Sequence, residues 1–197
     1  MKEESLEFAR KAFGVEAKAI AETGENMDWV AFAEAVNLLA RAGRIAASGC
    51  GHSGIACMHF AHSMCCIERP ARFLSPAEAV HGASGFLQAG DVLVLASRGG
   101  KTAELLPIIG IARKKGASVI SVTENPGSPM AGQSDVTLPM KVHREADRHD
   151  AQGTSSFAAL SAVFDALQVA VMEETGFRGE QFALTHPGGA VGERLNR

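Results

Sequence analysis

Residues 91–106 read DVLVLASRGGKTAELL. The run that ends at Ala96 is short and continuously apolar, which is typical of a strand buried on both faces of a sheet. Two glycines and several polar residues follow, and an apolar pattern with helical spacing then continues to residue 115. We predict a strand, a glycine-containing loop and a helix in direct succession, which is the repeating unit of a parallel α/β sheet.

The rest of the chain repeats this unit. Short apolar runs bounded by Gly, Pro or Asp predict four more strands, in RIAASG, RPARFLS, ASVISVT and DVTLPM. Helical spacing predicts helices at 53–67, 102–115 and 126–132, and a long helix at 154–174 that should close over the sheet. Two amphipathic helices, at 4–22 and 26–41, precede the first strand. The predicted fold class is α/β, with a doubly wound sheet of five strands.

Composition limits the possible functions. With 197 residues, of which 46% are hydrophobic, the chain suits one compact domain, with helices at 1–42 and an α/β core and C-terminal segment at 44–197. A formal net charge of −3 provides no broad basic surface for nucleic acid. The start of the chain is charged, and the apolar runs are short for a membrane span, so we expect a soluble, cytoplasmic protein. Four clustered cysteines are predicted to be reduced thiols: Cys50, Cys57, Cys65 and Cys66.

Residues 97–102, which we name the cradle loop, have the features of an anion site. In doubly wound sheets, ligands bind where loops leave the carboxyl ends of the strands. Unpaired N–H groups and the positive end of the next helix would face an anion there. Glycines allow the backbone to approach an anion closely, hydroxyl groups donate hydrogen bonds to it, and cationic side chains attract it. The loop comprises Ser97, Arg98, Gly99, Gly100, Lys101 and Thr102. A tight turn with a solvated basic pair is the alternative, and the spacing does not match a P-loop.

Three further side chains could move protons. Glu104 falls in the first turn of the predicted helix, where a carboxylate either complements the helix dipole or serves as a general base between adjacent sugar carbons. His81 and His186 each adjoin a turn-forming glycine or proline. A neutral imidazole there could relay protons to sugar oxygens near pH 7, although loop histidines are often only solvated.

Residues 49–54, GCGHSG, match G-x-G-x-x-G between a strand and a helix. We name them the β1 loop. The pattern permits a dinucleotide site, but no acidic residue ends the second predicted strand to bind a ribose. Gly51, His52 and Ser53 could equally contact a phosphorylated sugar. In the following helix His59, His62 and Cys66 share one face, which permits either a zinc site or ordinary packing, and we predict no metal.

The order of motifs carries a family resemblance. GCGHSG, PAEAVHG, SRGGKTAEL, TENPGSP, GTSS and HPGGAVG follow one another from Ile45 to the C-terminus. This series resembles the sugar isomerase (SIS) domain family, and within it the arabinose-5-phosphate isomerase group. The resemblance implies a three-layer α/β/α sandwich with a flavodoxin-like, five-stranded parallel sheet. It also implies a phosphorylated sugar as ligand, no cofactor, and a dimer or tetramer whose sites lie at subunit contacts.

The resemblance also implies roles for individual residues. Glu104 is similar to the family's base for the carbon proton, and His81 and His186 to its catalytic histidines, with His186 contributed by a neighbouring subunit. The cradle loop matches the phosphate-binding segment. Other segments implied to contact substrate are Gly51, His52, Ser53, Thr154, Ser155 and Ser156.

Two departures from the family pattern bear on activity. His52 stands where the isomerases have Lys, and Gly99 replaces a serine of the phosphate loop. Our hypothesis is that Arg98 and Lys101 restore the attraction to phosphate. The sequence ends soon after HPGGAVG, so the paired CBS domains of many members are not expected.

The predicted function is an aldose–ketose isomerase that acts on a phosphorylated sugar through an enediol. A non-catalytic phosphosugar-binding module is the alternative, and an NAD(P)-binding protein is a third. Partners other than the sugar are further copies of the chain, with no nucleic acid and no membrane.

Overall fold

The structure is a computed structural model and describes residues 1–195. Within this range the strands are β1 (Ile45–Gly49), β2 (Ala71–Phe73), β3 (Val92–Ala96), β4 (Ser118–Thr123) and β5 (Val136–Pro139). The α-helices are α1 (Glu3–Glu25), α2 (Trp29–Arg41), α3 (Gly51–Cys66), α4 (Pro76–Ala79), α5 (Leu106–Lys114), α6 (Ser155–Thr175), α7 (Gly179–Thr185) and α8 (Gly189–Leu195). Short 3₁₀ turns lie at Ala83–Phe86 and Ala131–Gln133.

The five strands form one parallel sheet in the order β2-β1-β3-β4-β5. This is the flavodoxin-like order, so the predicted fold class is confirmed. The register pairs Gly49 of β1 with Ala96 of β3, and Ala96 with Val122 of β4. Three neighbouring strands therefore end at the same level, and the loops that follow them meet at one edge of the sheet.

Helices cover both faces of the sheet. Successive residues of β3 alternate between two cores: Val92, Val94 and Ala96 pack with α2, α3 and α6, whereas Leu93 and Leu95 pack with α4 and α5. The chain thus leaves β1 through α3 on one face and leaves β3 through α5 on the other. The direction of winding reverses between β1 and β3, which opens a crevice between their carboxyl ends.

Helix α5 begins later than the sequence predicted. We expected it from residue 102, but residues 103–105 form a turn, in which the Leu105 N–H donates to the Thr102 carbonyl at 3.1 Å. The helix starts at Leu106 with Pro107 in its first turn, a position where the missing N–H of proline has no cost. Glu104 therefore lies in the turn before α5.

Three other helical predictions need correction. Residues 126–132 do not form an α-helix, and only the 3₁₀ turn at 131–133 occurs in that part of the chain. Helix α2 begins at Trp29, three residues late, because the Asp28 carboxylate caps it by accepting from Val30 N and Ala31 N at 3.0 Å. The sharp turn expected at residues 187–189 leads into helix α8, and helices α4, α7 and α8 have no counterpart among the predicted helices.

Helix α6 is long and apolar enough, by length and composition alone, to cross a membrane. Uninterrupted apolar runs in the sequence do not reveal this, because polar residues interrupt the apolar face of the helix. Leu160, Phe164 and Leu167 of α6 are buried in the core, where Phe164 stacks on Phe60 of α3 with ring centroids 4.6 Å apart. Packing against α1, α2 and α3 accounts for the apolar character of this face.

The junction of β1 with α3 is tight because two glycines face each other. A Cβ atom at Gly54 would lie 2.6 Å from the Gly49 carbonyl oxygen, and one at Gly49 would lie 2.9 Å from the Ser53 backbone. These glycines bring the start of α3 close to the end of β1, which fixes one side of the crevice.

We expect Gly54→Ala to lower the free energy of unfolding by about 2 kcal/mol or more, because backbone at the junction must move. Gly110→Ala is the matched control. Gly110 lies exposed inside α5 with open space around its Cα, so this change should stabilise the protein by about 1 kcal/mol. Urea unfolding of both variants measures the effects. Equal stability of the two variants would contradict the close contact at the β1–α3 junction.

Candidate functional site

The β1 loop and the turn after the cradle loop face each other across the crevice. Cys50, half-buried at the start of α3, has a raised pKa because of burial and because the Glu104 carboxylate lies nearby. Glu104 itself is exposed in this single chain. The structure therefore brings together the two loops in which the sequence placed its candidate residues.

The cradle loop folds back on itself through hydrogen bonds. Gly100 has φ +63°, and its N–H donates to the Ser97 carbonyl and hydroxyl, both at 3.1 Å. The hydroxyl oxygens of Ser97 and Thr102 lie 2.8 Å apart. A Cβ atom at Gly100 would lie 2.1 Å from Ser128 Oγ, so glycine is required there by both space and backbone angle.

The unpaired donors include Gly99, as expected, but not Gly100, and they extend beyond it along the chain. We predicted unpaired N–H groups around Gly99 and Gly100, but the Gly100 N–H is bonded within the loop. Gly99 and the four residues 101–104 have N–H groups that bond to no group within residues 1–195. Four consecutive unpaired donors beside the Ser97 and Thr102 hydroxyls form a ready site for an anion.

The loop after β4 holds the cradle loop in place. Thr123 Oγ1 donates to the Arg98 carbonyl at 2.9 Å, and the Met130 N–H donates to the Gly100 carbonyl at 3.2 Å. Asn125 Nδ2 donates to the Gly99 carbonyl at 3.4 Å. The motif TENPGSP was matched in the sequence, but its supporting role appears only when the two loops are seen side by side.

The side chain of Arg98 is not available to a phosphate as we had predicted. Its three guanidinium nitrogens donate to Glu124 at 2.5 Å, to Glu145 at 2.8 Å and to the Val142 carbonyl at 3.2 Å. Two carboxylates therefore balance its charge. Lys101 is exposed and forms no ion pair within residues 1–195, so it is the cradle-loop cation that remains accessible.

Glu145 is a central residue that the sequence analysis missed. Its side chain is 3% exposed, and its Oε2 accepts from Thr154 N at 2.9 Å, Thr154 Oγ1 at 3.2 Å and Ser156 N at 3.1 Å. Burial alone would raise its pKa, but the hydrogen bonds from Ser156 and Thr154 and the charge of Arg98 outweigh burial, so the pKa lies below its ordinary value. No local pattern marks this acid in the sequence, because only its burial distinguishes it.

Residues 153–156, which we name the α6 entry, therefore act differently from our expectation. The Thr154 hydroxyl is bonded to Glu145 and to the Ala146 N–H, and Ser155 is fully buried. Neither side chain is free to bind substrate as predicted. Ser156 is half-buried, and its N–H donates a hydrogen bond to the Glu145 carboxylate. The segment instead forms a fixed boundary of the site.

His52 connects the β1 loop to the α6 entry. A Cβ atom at Gly153 would lie 2.9 Å from His52 Nδ1, and the His52 ring meets Phe157 edge-on with centroids 6.3 Å apart. Gly51 before it has φ +55°, and Ser53 after it is half-buried. One side of the His52 side chain thus packs against the α6 entry, and the other side is exposed.

Neither of the two predicted catalytic histidines forms a hydrogen bond with the loops of this cluster within residues 1–195. His81 is exposed on the connection that follows α4, and its N–H donates to the Glu78 carbonyl. His186 ends α7, where its ring stacks on Phe182 with centroids 3.8 Å apart.

The path of the chain carries His186 away from its own crevice. Helix α6 has 21 residues and spans about 30 Å, beginning at the carboxyl edge of the sheet. In α7, Gln181 Nε2 donates to Glu68 Oε2 at 2.5 Å. Glu68 precedes β2 and so lies at the amino edge of the sheet. His186 follows five residues later, with no hydrogen bond to the crevice loops within residues 1–195.

The possible zinc ligands of α3 form separate pairs. His59 Nε2 lies 3.0 Å from Asp165 Oδ1, and Cys66 Sγ lies 3.6 Å from His62 Nε2. Within residues 1–195 no group of three or more His, Cys, Asp or Glu side chains is arranged to hold a metal ion.

Comparison with known proteins identifies relatives over most of the chain. The SIS domain model matches residues 38–170. An arabinose 5-phosphate isomerase KdsD from Pseudomonas aeruginosa is 36% identical over 98% of this chain and 60% of its own length. The KdsD of Escherichia coli K12 is 36% identical over 78% of this chain and 47% of its own length. The chain thus spans about half the length of the curated relatives that it matches.

Two solved structures match this chain over their whole length. A proposed sugar-phosphate isomerase from Listeria monocytogenes is 40% identical, with TM-score 0.91, over 95% of this chain and 100% of the other. The protein c3406 of E. coli CFT073, solved in complex with arabinose 5-phosphate, is 30% identical with TM-score 0.88, over 95% of this chain and 100% of the other.

The lowered pKa of Glu145 predicts a pH-dependent contribution to stability. A carboxyl whose pKa is depressed on folding stabilises the protein above its unfolded pKa, and this stabilisation is lost as the pH falls through the folded value. Near pH 7 we expect Glu145→Gln to cost about 1–3 kcal/mol, because it weakens four charge-assisted contacts. The difference from wild type should shrink as the pH falls below about 4.5.

Urea unfolding from pH 7 to pH 3 measures this difference. Glu174→Gln, an exposed carboxylate on α6 with no ion pair within residues 1–195, serves as the control and should stay within about 0.5 kcal/mol of wild type. A Glu145→Gln difference that is constant with pH would show that the charge of Glu145 plays no part.

Proposed function

The chain belongs to the SIS domain family, and on this basis we propose that it is an aldose–ketose isomerase of phosphorylated sugars. One observation carries the proposal. The unpaired N–H groups of residues 101–104 lie on the same turn as the Glu104 carboxylate, at the crevice between β1 and β3. A phosphate held by those donors would bring the sugar chain within reach of a base. The relatives named arabinose 5-phosphate isomerase make that sugar the first substrate to test.

The proposed reaction moves one proton between adjacent carbons. Glu104 removes the proton from the carbon beside the carbonyl, and the C–H electron pair forms a carbon–carbon double bond. The carbonyl π pair shifts onto the carbonyl oxygen, which takes up a proton to give an enediol. Protonation of the former carbonyl carbon and loss of the hydroxyl proton complete the exchange of aldose and ketose. The electrons move within the substrate, so the step needs no redox cofactor. We assign His81 and His186 to proton transfer at the sugar oxygens.

The position of His186 supports a shared site. Because α6 and α7 carry this residue towards the amino edge of its own sheet, we propose that it enters the crevice of a neighbouring copy. The functional unit is then a dimer or a tetramer with sites at subunit contacts. We further propose one SIS domain over residues 1–197 and a cytoplasmic location.

A phosphosugar-binding module without activity is the second candidate. It is favoured by His52, which stands where the isomerases carry Lys and packs on Gly153 in this structure. Isomerisation assays on the wild-type protein distinguish the two candidates, because both bind the ligand but only the enzyme interconverts aldose and ketose.

Glu104→Gln tests the proposed base. We expect turnover of arabinose 5-phosphate to fall by about a hundred- to ten-thousandfold, while the ligand-induced rise in melting temperature stays within error, since the amide keeps the shape but cannot accept the proton. Glu174→Gln should leave both quantities unchanged. Full activity in Glu104→Gln would remove the assignment, and an inactive wild type that still binds the sugar would favour the module.

Mixed oligomers test the shared site. Glu104→Gln and His186→Ala are each expected to be nearly inactive. Unfolding and refolding them together in equal amounts should restore about a quarter of wild-type activity, because half of the dimers are mixed and each has one intact site. A mixture of Glu104→Gln with the double variant should restore none. Absence of recovery in the first mixture, with mixed oligomers present, would place His186 in its own subunit's site.

A further inference from the structure

We propose that Arg98 is a positioning residue, which holds the cradle loop against the α6 entry through Glu124 and Glu145 and does not itself bind the phosphate. The inference deepens the proposed function and rests on it, because the loop that Arg98 fixes is the proposed phosphate site. It replaces the role that the sequence suggested for this side chain.

The guanidinium of Arg98 joins three segments of the chain. Its Nε and Nη1 donate to Glu124 and Glu145, and its Nη2 donates to the Val142 carbonyl. Glu124 extends this contact, because its second oxygen accepts from the Val142 N–H at 2.6 Å. The loop after β3, the loop after β4 and the segment before α6 are thereby fixed at one point.

Glu145 transmits this contact to the α6 entry. One of its oxygens accepts from Arg98, and the other accepts from Thr154 and Ser156. The carboxylate thus bridges a cation on one side and the N-terminal N–H groups of α6 on the other, where a negative charge is stabilised by the helix dipole. Moving Arg98 would release the cradle loop and the α6 entry together.

The main chain of Arg98 is held as firmly as its side chain. Its carbonyl accepts from Thr123 Oγ1 at 2.9 Å, and the Glu124 N–H donates to the same carbonyl at 3.0 Å. The unpaired N–H groups belong to the next residue, Gly99, and to residues 101–104, so a shift at residue 98 passes directly into them. A misplacement of about 1 Å in such a site can cost about a hundredfold in rate.

Arginine is suited to this task and lysine is not. The three acceptors surround a planar group whose nitrogens point in fixed directions, whereas an ammonium presents a single compact centre. Arg98→Lys keeps the positive charge but loses the simultaneous contacts. A direct phosphate ligand would instead tolerate lysine, because a phosphate accepts a point charge.

The charges around Glu145 support the same assignment. Arg98 is its cationic partner, Glu124 shares that partner, Asp150 accepts from the Glu145 N–H, and Arg144 Nε donates to the Glu145 carbonyl. The carboxylates of Glu124 and Glu145 therefore balance the charge of Arg98 when no ligand is bound.

The test compares Arg98→Lys, Arg98→Gln and a matched control, Arg113→Lys. Arg113 pairs with Asp135 at 3.4 Å at the far end of α5, and it should behave as wild type. We expect Arg98→Lys and Arg98→Gln to lose kcat alike, by about tenfold to a hundredfold, with KM for arabinose 5-phosphate changed less than about threefold. In Arg98→Gln the acid limb of the kcat profile should also move to higher pH, because Glu145 loses its cation.

Amide hydrogen exchange provides a measurement that needs no substrate. Either Arg98 variant should exchange faster than wild type at Gly100 and at Thr154 and Ser156 together, whereas Arg113→Lys should not.

A different set of results would identify Arg98 as a phosphate ligand. If Arg98→Lys keeps wild-type kcat and exchange, and only Arg98→Gln raises KM and weakens inhibition by inorganic phosphate, then Arg98 is a phosphate ligand and the inference is wrong. An inactive wild type would remove the proposed isomerase activity, yet the exchange measurement would still decide the role of Arg98.

Discussion

The reversal of winding between β1 and β3 is the constraint on which the rest of the site depends. Helices α3 and α5 lie on opposite faces of the sheet. The loop from β1 to α3 and the loop from β3 to α5 therefore cannot pack over each other, and a crevice stays open between them. The close contact of Gly49 with Gly54 and the insertion of Ser128 beneath Gly100 then bring backbone, not side chains, to its edges. The crevice is therefore bordered by N–H groups whose positions are fixed by the sheet.

Buried charge stabilises the second boundary of the crevice. An isolated carboxylate at the depth of Glu145 would be costly, and this cost is offset because every oxygen has a partner and Arg98 supplies the opposite charge. Such a network contributes little to stability compared with apolar packing of the same volume. Its effect is geometric, since it specifies one relative position of the three loops that it joins.

The sequence predicted the elements whose pattern is set by burial alone. The strands were found because both faces of a parallel sheet are covered, which requires runs such as VLVLA. Glu104, Ser97 and Thr102 are candidates for the site because they follow such a strand, and their roles stay predictions. What could not be predicted depends on contacts between distant segments: the capture of Arg98 by Glu124 and Glu145, the burial of Ser155, and the path that takes His186 along α6 to the other edge. The late start of α5 follows from hydrogen bonding in the turn at 103–105, which periodicity does not reveal.

The departure at Gly99 is sterically compatible with the proposed phosphate site. Gly99 has open space around its Cα and no positive φ, so nothing in the fold excludes a larger residue, and the missing hydroxyl is a lost donor and not a steric necessity. Arg98 cannot replace that donor, because its charge is already paired. In the proposed phosphate site, recognition would then rest on the consecutive N–H groups of 101–104, with Lys101 as the accessible cation. Backbone donors are independent of side-chain identity, which is why a site of this kind tolerates substitution around the anion as long as the loop itself keeps its shape.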